Sequence, residues 1–264
     1  MIAWKCWRDH RWFMIAGLAW LLLFWGTTLA HGPVVESGPQ FTEGGPDVLA
    51  ALIRAFSTTQ VVVFALLAWG MGTRGIGRDI GNGAGMFMLT RPVRRGSWVW
   101  IEWSVGVALL AALLICSGLC YWVAVRFHLL RVTWLWVGPD YQRLWRDAAV
   151  SSGTIAVASL SALLFLALIF SLTHCGTVIF RHSTRGLLFC LAVLLGYMFL
   201  VWEIYLHHDS WSPYLPDLLF QPFIDFPRNV HVVPHTISSM IERTAILPLF
   251  PLVAQLFLQR GEGS

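Results

Sequence analysis

The sequence predicts an all-α integral membrane protein, a bundle of six transmembrane helices in a single transmembrane domain spanning 1–264. Three observations carry that prediction. Of 264 residues, 57% are hydrophobic and only 12% are charged, about half the charged share of a soluble domain. The mean hydropathy is +0.66. The apolar residues also fall in blocks near the length of about 20 residues that a helix needs to cross a roughly 30 Å hydrocarbon layer. These blocks do not alternate as barrel strands do, and backbone in lipid must satisfy its own hydrogen bonds, so each reads as a helix.

The first predicted span is about 12–30, preceded by Lys5, Arg8 and Arg11. Thr28-Leu29-Ala30 has the small residues of a signal-peptide cleavage site, but the apolar core is long for one, which favours an uncleaved anchor. Residues 31–47 are rich in Gly and Pro, carry Glu36, Glu43 and Asp47, and contain no Lys or Arg. The second span, about 48–71, includes Arg54 and Gln60. Residues 72–97 hold five arginines and seven glycines.

The third span is about 98–125. Its small residues Ser104, Ala108, Ala112 and Cys116 recur every four positions, a spacing that lets helices approach closely. Glu102 lies one turn inside it and is expected at the interface. A connector rich in Trp and Arg leads to the fourth span, about 148–172. A short segment with Arg181 and Arg185 precedes the fifth, about 186–206. The connector 207–236 contains five prolines. The last span, about 237–258, is interrupted by Glu242, Arg243, Pro248 and Pro251.

Six crossings put both termini on one side. That side collects eleven of the eighteen Lys and Arg residues, and the positive-inside rule then makes it cytoplasmic. The expected location is the plasma or inner membrane, multi-pass, with the lipid bilayer as a partner. The net charge of +4 lies in clusters beside the spans, the pattern of a topology signal rather than of a nucleic-acid surface. Many of the fifteen tryptophans, such as Trp4, Trp7, Trp12, Trp98, Trp100, Trp202 and Trp211, sit near span ends, as in interfacial belts. Cys6, Cys116, Cys120, Cys175 and Cys190 form no CxxC pair and read as packing residues.

Motifs for autonomous chemistry are missing. The chain has no GxxxxGK[ST] phosphate loop, no HExxH and no GxSxG, and the glycines at Gly75 and Gly77 do not complete GxGxxG. One polar cluster has metal-ligand types: Glu203, His207, His208 and Asp209 end the fifth span, with His231 and His235 beyond. Glu203 and His207 at four-residue spacing share a helix face, which suits a transition metal in a metal-dependent enzyme. The plainer reading is a polar cap on a helix end, with no cofactor. Arg54 and Gln60 are the candidate polar residues of a translocation path, since such groups usually face a bundle interior or a wet cavity. Arg54 also lies near enough to an end to snorkel.

Residues 77–103 carry most information. They read as a short amphipathic element along the cytoplasmic surface, with a patch at Met86, Phe87, Met88 and Leu89, a break at Pro92, and Arg94 and Arg95 heading span three. Methionine-rich surfaces adapt to partner proteins, while the arginines suit anionic lipid.

Asp79, Gly83, Leu89 and Pro92, followed by Arg94 and Arg95, resemble the first cytoplasmic loop of the type-2 ABC transporter permeases. The order of elements is similar too, with six spans, inside termini and a long outer connector before the last span. Asp79 stands where that family usually has glutamate, and Glu102 where it commonly has lysine. The resemblance implies the membrane subunit of an ABC transporter, an exporter by preference. Two subunits, as a homo- or heterodimer, would flank a translocation path, each resting on a separate ABC ATPase subunit that hydrolyses ATP. It implies that Asp79, Gly83, Met86, Leu89, Pro92, Arg94 and Arg95 form the coupling segment, and that 207–236 re-enters the membrane. A non-transporting membrane anchor or assembly factor is the alternative. Apolar, aromatic span faces lean towards a lipid-like or amphipathic cargo.

Overall fold

The computed structural model describes residues 2–31, 60, 62–82, 95–126, 152–207 and 244–260, and every element among them is helical. We number the helices α1 (Ile2–His31), α2 (Val62–Gly72), α3 (Ile76–Gly81), α4 (Arg95–Arg126), α5 (Ser152–Phe180), α6 (Ser183–His207) and α7 (Leu249–Arg260). Gly96–Cys120 of α4 and Ala162–Phe180 of α5 are long and apolar enough to cross a membrane.

The bundle is organised around α5. Its residues 166–178 are buried without a break, as expected of a helix that is apolar all round. Leu166, Ile169 and Phe170 join Met14 and Leu21 of α1, Phe64, Ala68 and Met71 of α2, and Leu110 and Leu113 of α4 in the main core. Nearer the end of α5, Cys175 and Val178 pack with Ile76 of α3, Val99 of α4, and Ala254 and Leu258 of α7. The other helices bury one stripe each and expose another. Leu18 and Leu22 of α1, Ile115 and Leu119 of α4, and Leu188, Leu195 and Phe199 of α6 all face outward.

Several boundaries differ from those expected. α1 begins at Ile2, so Lys5, Arg8 and Arg11 ride on the helix instead of preceding it. α5 continues to Phe180, past the predicted end at 172, because the hydroxyls that lower its hydropathy are satisfied along the helix itself. Thr173 donates to the Ile169 carbonyl at 2.8 Å and Thr177 to that of Thr173 at 2.8 Å, the usual back-bonding of helical Ser and Thr. The connection to α6 shrinks to two residues, with Arg181 at φ 52, where a helix ends in the left-handed region.

In α4 the outward residues are Ser104, Ala108 and Cys116, while Val99, Glu102, Gly106, Leu110, Leu113 and Ser117 point inward. Of the small-residue stripe, Ser104, Ala108 and Cys116 therefore face away from the described helices, contrary to expectation, while Ala112 packs against the main core. Space for close approach comes from Gly106 instead, where any side chain would run into the Phe170 ring. In the segment expected to be the last span, Pro251 falls in the first turn of α7, where its missing N–H breaks no helical bond. Leu247 and Pro248 form the turn before it.

Candidate functional site: a buried polar node at the α3 turn

A polar node forms where the α2–α3 turn meets α1, α4, α5 and α6. α2 ends in a tight turn in which Thr73 donates its hydroxyl to the Gly70 carbonyl at 2.7 Å and the Arg74 N–H reaches Met71 at 3.1 Å. Gly75 follows with φ 138 and ψ −158, a region open in practice only to glycine. A Cβ there would land on the Glu102 carboxylate. α3 then lies backbone to backbone against α5, since a Cβ on Gly77 would meet the Thr177 carbonyl. Two of the glycines counted between 72 and 97, Gly75 and Gly77, thus have a local reason.

Hydrogen bonds fix the turn to the bundle. The Ile76 N–H donates to Glu102 Oε2 at 2.9 Å, the Thr177 hydroxyl to the Gly72 carbonyl at 3.2 Å, and the Ser183 hydroxyl to the Thr73 carbonyl at 2.9 Å. Lys5 completes the set, donating to Asp79 and lying 3.5 Å from Asp9. One lysine on α1, two hydroxyls on α5 and α6, and one carboxylate on α4 therefore hold the chain between Gly72 and Asp79.

Glu102 is 4% exposed and does not sit at the interface as expected. A charge at that depth is tolerated when it is paired and hydrogen-bonded, and here it faces the Ile76 amide and His174. His174 Nδ1 is 4.0 Å from Glu102 Oε2. The His174 ring stacks on Phe170 at 5.8 Å between centroids, and His10 meets the same phenylalanine edge-on at 6.4 Å. His10 is fully buried, and neither of its nitrogens has a hydrogen-bond partner among the described residues; nor does His174 Nε2.

The electrostatics at the mouth follow from burial and from these charges. Burial alone would lower the Lys5 ammonium, but the Asp79 hydrogen bond and charge, with help from Glu102 and Asp9, raise it above its ordinary value. Burial pushes the Cys6 thiol up to about 12, reinforced by Glu102. His10 is pushed down to about 4, by burial first and by the Arg74 and Lys5 cations next, against the pull of Asp9. Outside the node, Arg8, Arg11, Arg78, Arg181 and Arg185 are exposed. Lys5, Asp9 and Asp79 are alike half-buried, whereas Glu102 is buried.

Of the expected coupling residues, Asp79 lies in this node. Gly83, Met86, Leu89, Pro92 and Arg94 lie outside the described residues, and Arg95 is the first residue of α4. Of the segment read as an amphipathic surface element, residues 77–82 are described: Gly77 is buried, Asp79 and Ile80 are half-buried, and Arg78, Gly81 and Asn82 are exposed. Gln60 accepts a hydrogen bond from the Ser117 hydroxyl at 2.5 Å, a helix-to-helix contact near the far end of α4. Arg54 lies outside the described residues.

Glu203 and His207 both fall on α6, while His208, Asp209, His231 and His235 lie outside the described residues. Among the described residues no three His, Cys, Asp or Glu side chains gather as metal ligands. In the sequence Lys5 reads only as a topology signal, and nothing there singles out His174. The one available hint was Glu102, an ionisable residue inside a span and therefore in need of a partner. No protein-family model matches the chain, and no curated protein or solved structure matches it.

Proposed function

We propose that this chain is the membrane-spanning permease subunit of an ATP-binding-cassette transporter of the type-2 kind, exporting substrate with energy from a separate ATPase subunit. The observation that carries the reading is the anchoring of residues 72–82. This stretch immediately precedes the segment that resembles a coupling loop. It is bonded to α1 through Lys5–Asp79, to α4 through Glu102, to α5 through Thr177 and to α6 through Ser183. A force applied at 83–94 by a partner reaches four helices through hydrogen bonds rather than through a slack linker. ATP-driven movement of the partner then biases the bundle between two arrangements by differential contact, with no chemistry in this chain. On this reading the protein is not an enzyme, and a multi-pass location in the cell membrane, with both termini cytoplasmic and a second permease subunit alongside, follows from the same proposal.

Photo-crosslinking tests it. A photoreactive side chain at position 89 should capture an ATP-binding-cassette protein in cells, while one at Leu195, on the exposed face of α6, should not. Capture of the same species at both positions, or at neither, contradicts the reading.

A further inference from the structure

The arginines at this end of the bundle divide by what faces them. Arg8 Nε is 4.0 Å from Asp9 Oδ1, Arg11 lies over the Trp12 ring at 5.4 Å, and Arg74 lies over Phe13 at 5.3 Å. Arg78, Arg181 and Arg185 are exposed and meet no carboxylate or aromatic ring among the described residues. Asp79, the acidic residue next to Arg78, is engaged by Lys5. From residue 148 to residue 202 the sequence has no Asp or Glu, and Glu203 lies about 27 Å beyond Arg185 along α6.

The fold brings these three cations to one place. Gly81, one turn after Arg78, packs on the backbone of Arg181, whose carbonyl oxygen a Cβ at Gly81 would strike. The Ser183 hydroxyl ties the head of α6 to the Thr73 carbonyl at 2.9 Å, and the Gly186 N–H donates to the His182 carbonyl at 3.0 Å. Arg185 therefore stands in the first turn of α6, beside Arg181. From Arg185 an exposed apolar stripe continues along the same face of α6 through Leu188, Leu195 and Phe199. The exposed Trp4, Trp7 and Trp12 stand on the stretch of α1 that carries Lys5, the partner of Asp79. Tryptophan collects where headgroups meet acyl chains, which sets this end of the bundle at headgroup depth.

We propose that Arg78, Arg181 and Arg185 bind the phosphate of an anionic phospholipid whose acyl chains lie along the Leu188–Leu195–Phe199 face of α6. Cations without a countercharge in the chain draw an anion from outside it, and the guanidinium fork matches phosphate oxygens. The stripe that starts within a turn of Arg185 selects an anion carrying hydrocarbon over a free one. An acidic protein surface would satisfy the arginines but would leave the leucine face beneath them uncovered.

The inference rests on the chain lying in a bilayer and not on the transport reading, and its test uses this chain alone. The full chain, stripped of lipid in a neutral detergent, is offered equal amounts of phosphatidylglycerol and phosphatidylcholine with the same acyl chains, and retained lipid is counted by native mass spectrometry. Phosphatidylglycerol should be retained in preference. Arg78→Gln, Arg181→Gln and Arg185→Gln should each cut that preference on the order of fivefold, whereas Arg185→Lys should keep most of it and Arg8→Gln all of it. Leu188→Gln should lower retention of both lipids, and inorganic phosphate at the lipid concentration should displace neither. The substituted side chains are exposed, so the core stays intact in every variant. Equal retention of the two lipids, a preference that survives the three Arg→Gln changes together, a loss in Arg8→Gln as large as in Arg185→Gln, or displacement by inorganic phosphate would overturn the proposal.

Discussion

His10 shows how a single residue links this fold to pH. It occupies the inner face of α1 with no accessible surface, and its nitrogens have no partner among the described residues. Protonating it means placing a charge in an apolar setting near Arg74 and Lys5, which is why its pKa falls from the ordinary 6.5 to about 4. The unfolded chain takes up that proton near pH 6.5. Between those values the unfolded state therefore binds more protons, and stability declines as pH falls. The contribution is complete above about pH 6.5 and is lost towards pH 4, a change on the order of 3 kcal/mol. Thermal unfolding in detergent should show a declining midpoint through that window. In His10→Phe, which keeps the ring volume without the titratable nitrogens, the slope should flatten.

At the scale of elements, the helices were legible and their ends were not. Apolar blocks in the sequence mark α1, α4, α5 and α6. A helix end inside protein needs no such run. α5 passes Thr173, His174 and Thr177 because each hydroxyl bonds back along the helix and the surroundings are other helices. The turn at Gly75 was readable as glycine-rich but not as a fixed structure, since its partners lie 26 residues away at Glu102 and 105 residues from Gly72 at Thr177. The Lys5–Asp79 pair spans 74 residues, and no periodicity encodes such a contact. Asp79 was singled out by spacing alone; the lysine that holds it was not.

Two glycines separate the roles this residue plays. Gly75→Ala forces a side chain into a positive-φ conformation and onto the Glu102 carboxylate, so it should destabilise by roughly 1–3 kcal/mol from backbone strain alone. Gly26 is helical, with nothing within 4 Å of an added Cβ, and alanine there should stabilise by about 0.5–1 kcal/mol. Midpoints of thermal unfolding that move in opposite directions are the expected outcome.

Among the described residues, leucines line the outer faces of several helices. Leu22 is 77% exposed and Phe199 66%. Apolar surface of this extent is stable against lipid or a partner and not against water. Among the described residues Lys5, Asp9, Arg74, Asp79 and Glu102 collect around the Gly75 turn, and the node bonds that turn to four helices. The proposed role, a permease subunit driven by a partner, calls for an apolar exterior and a firm point of attachment. The direct measurement is purification of the tagged chain from its native membrane, in mild detergent, followed by assay of ATP hydrolysis and identification of what accompanies it. An ATP-binding-cassette subunit should co-purify in stoichiometric amount and hydrolyse ATP, and it should be lost from Leu89→Asp while that variant still reaches the membrane. A chain that purifies without any ATPase, or a Leu89→Asp variant that retains it in full, would contradict the account.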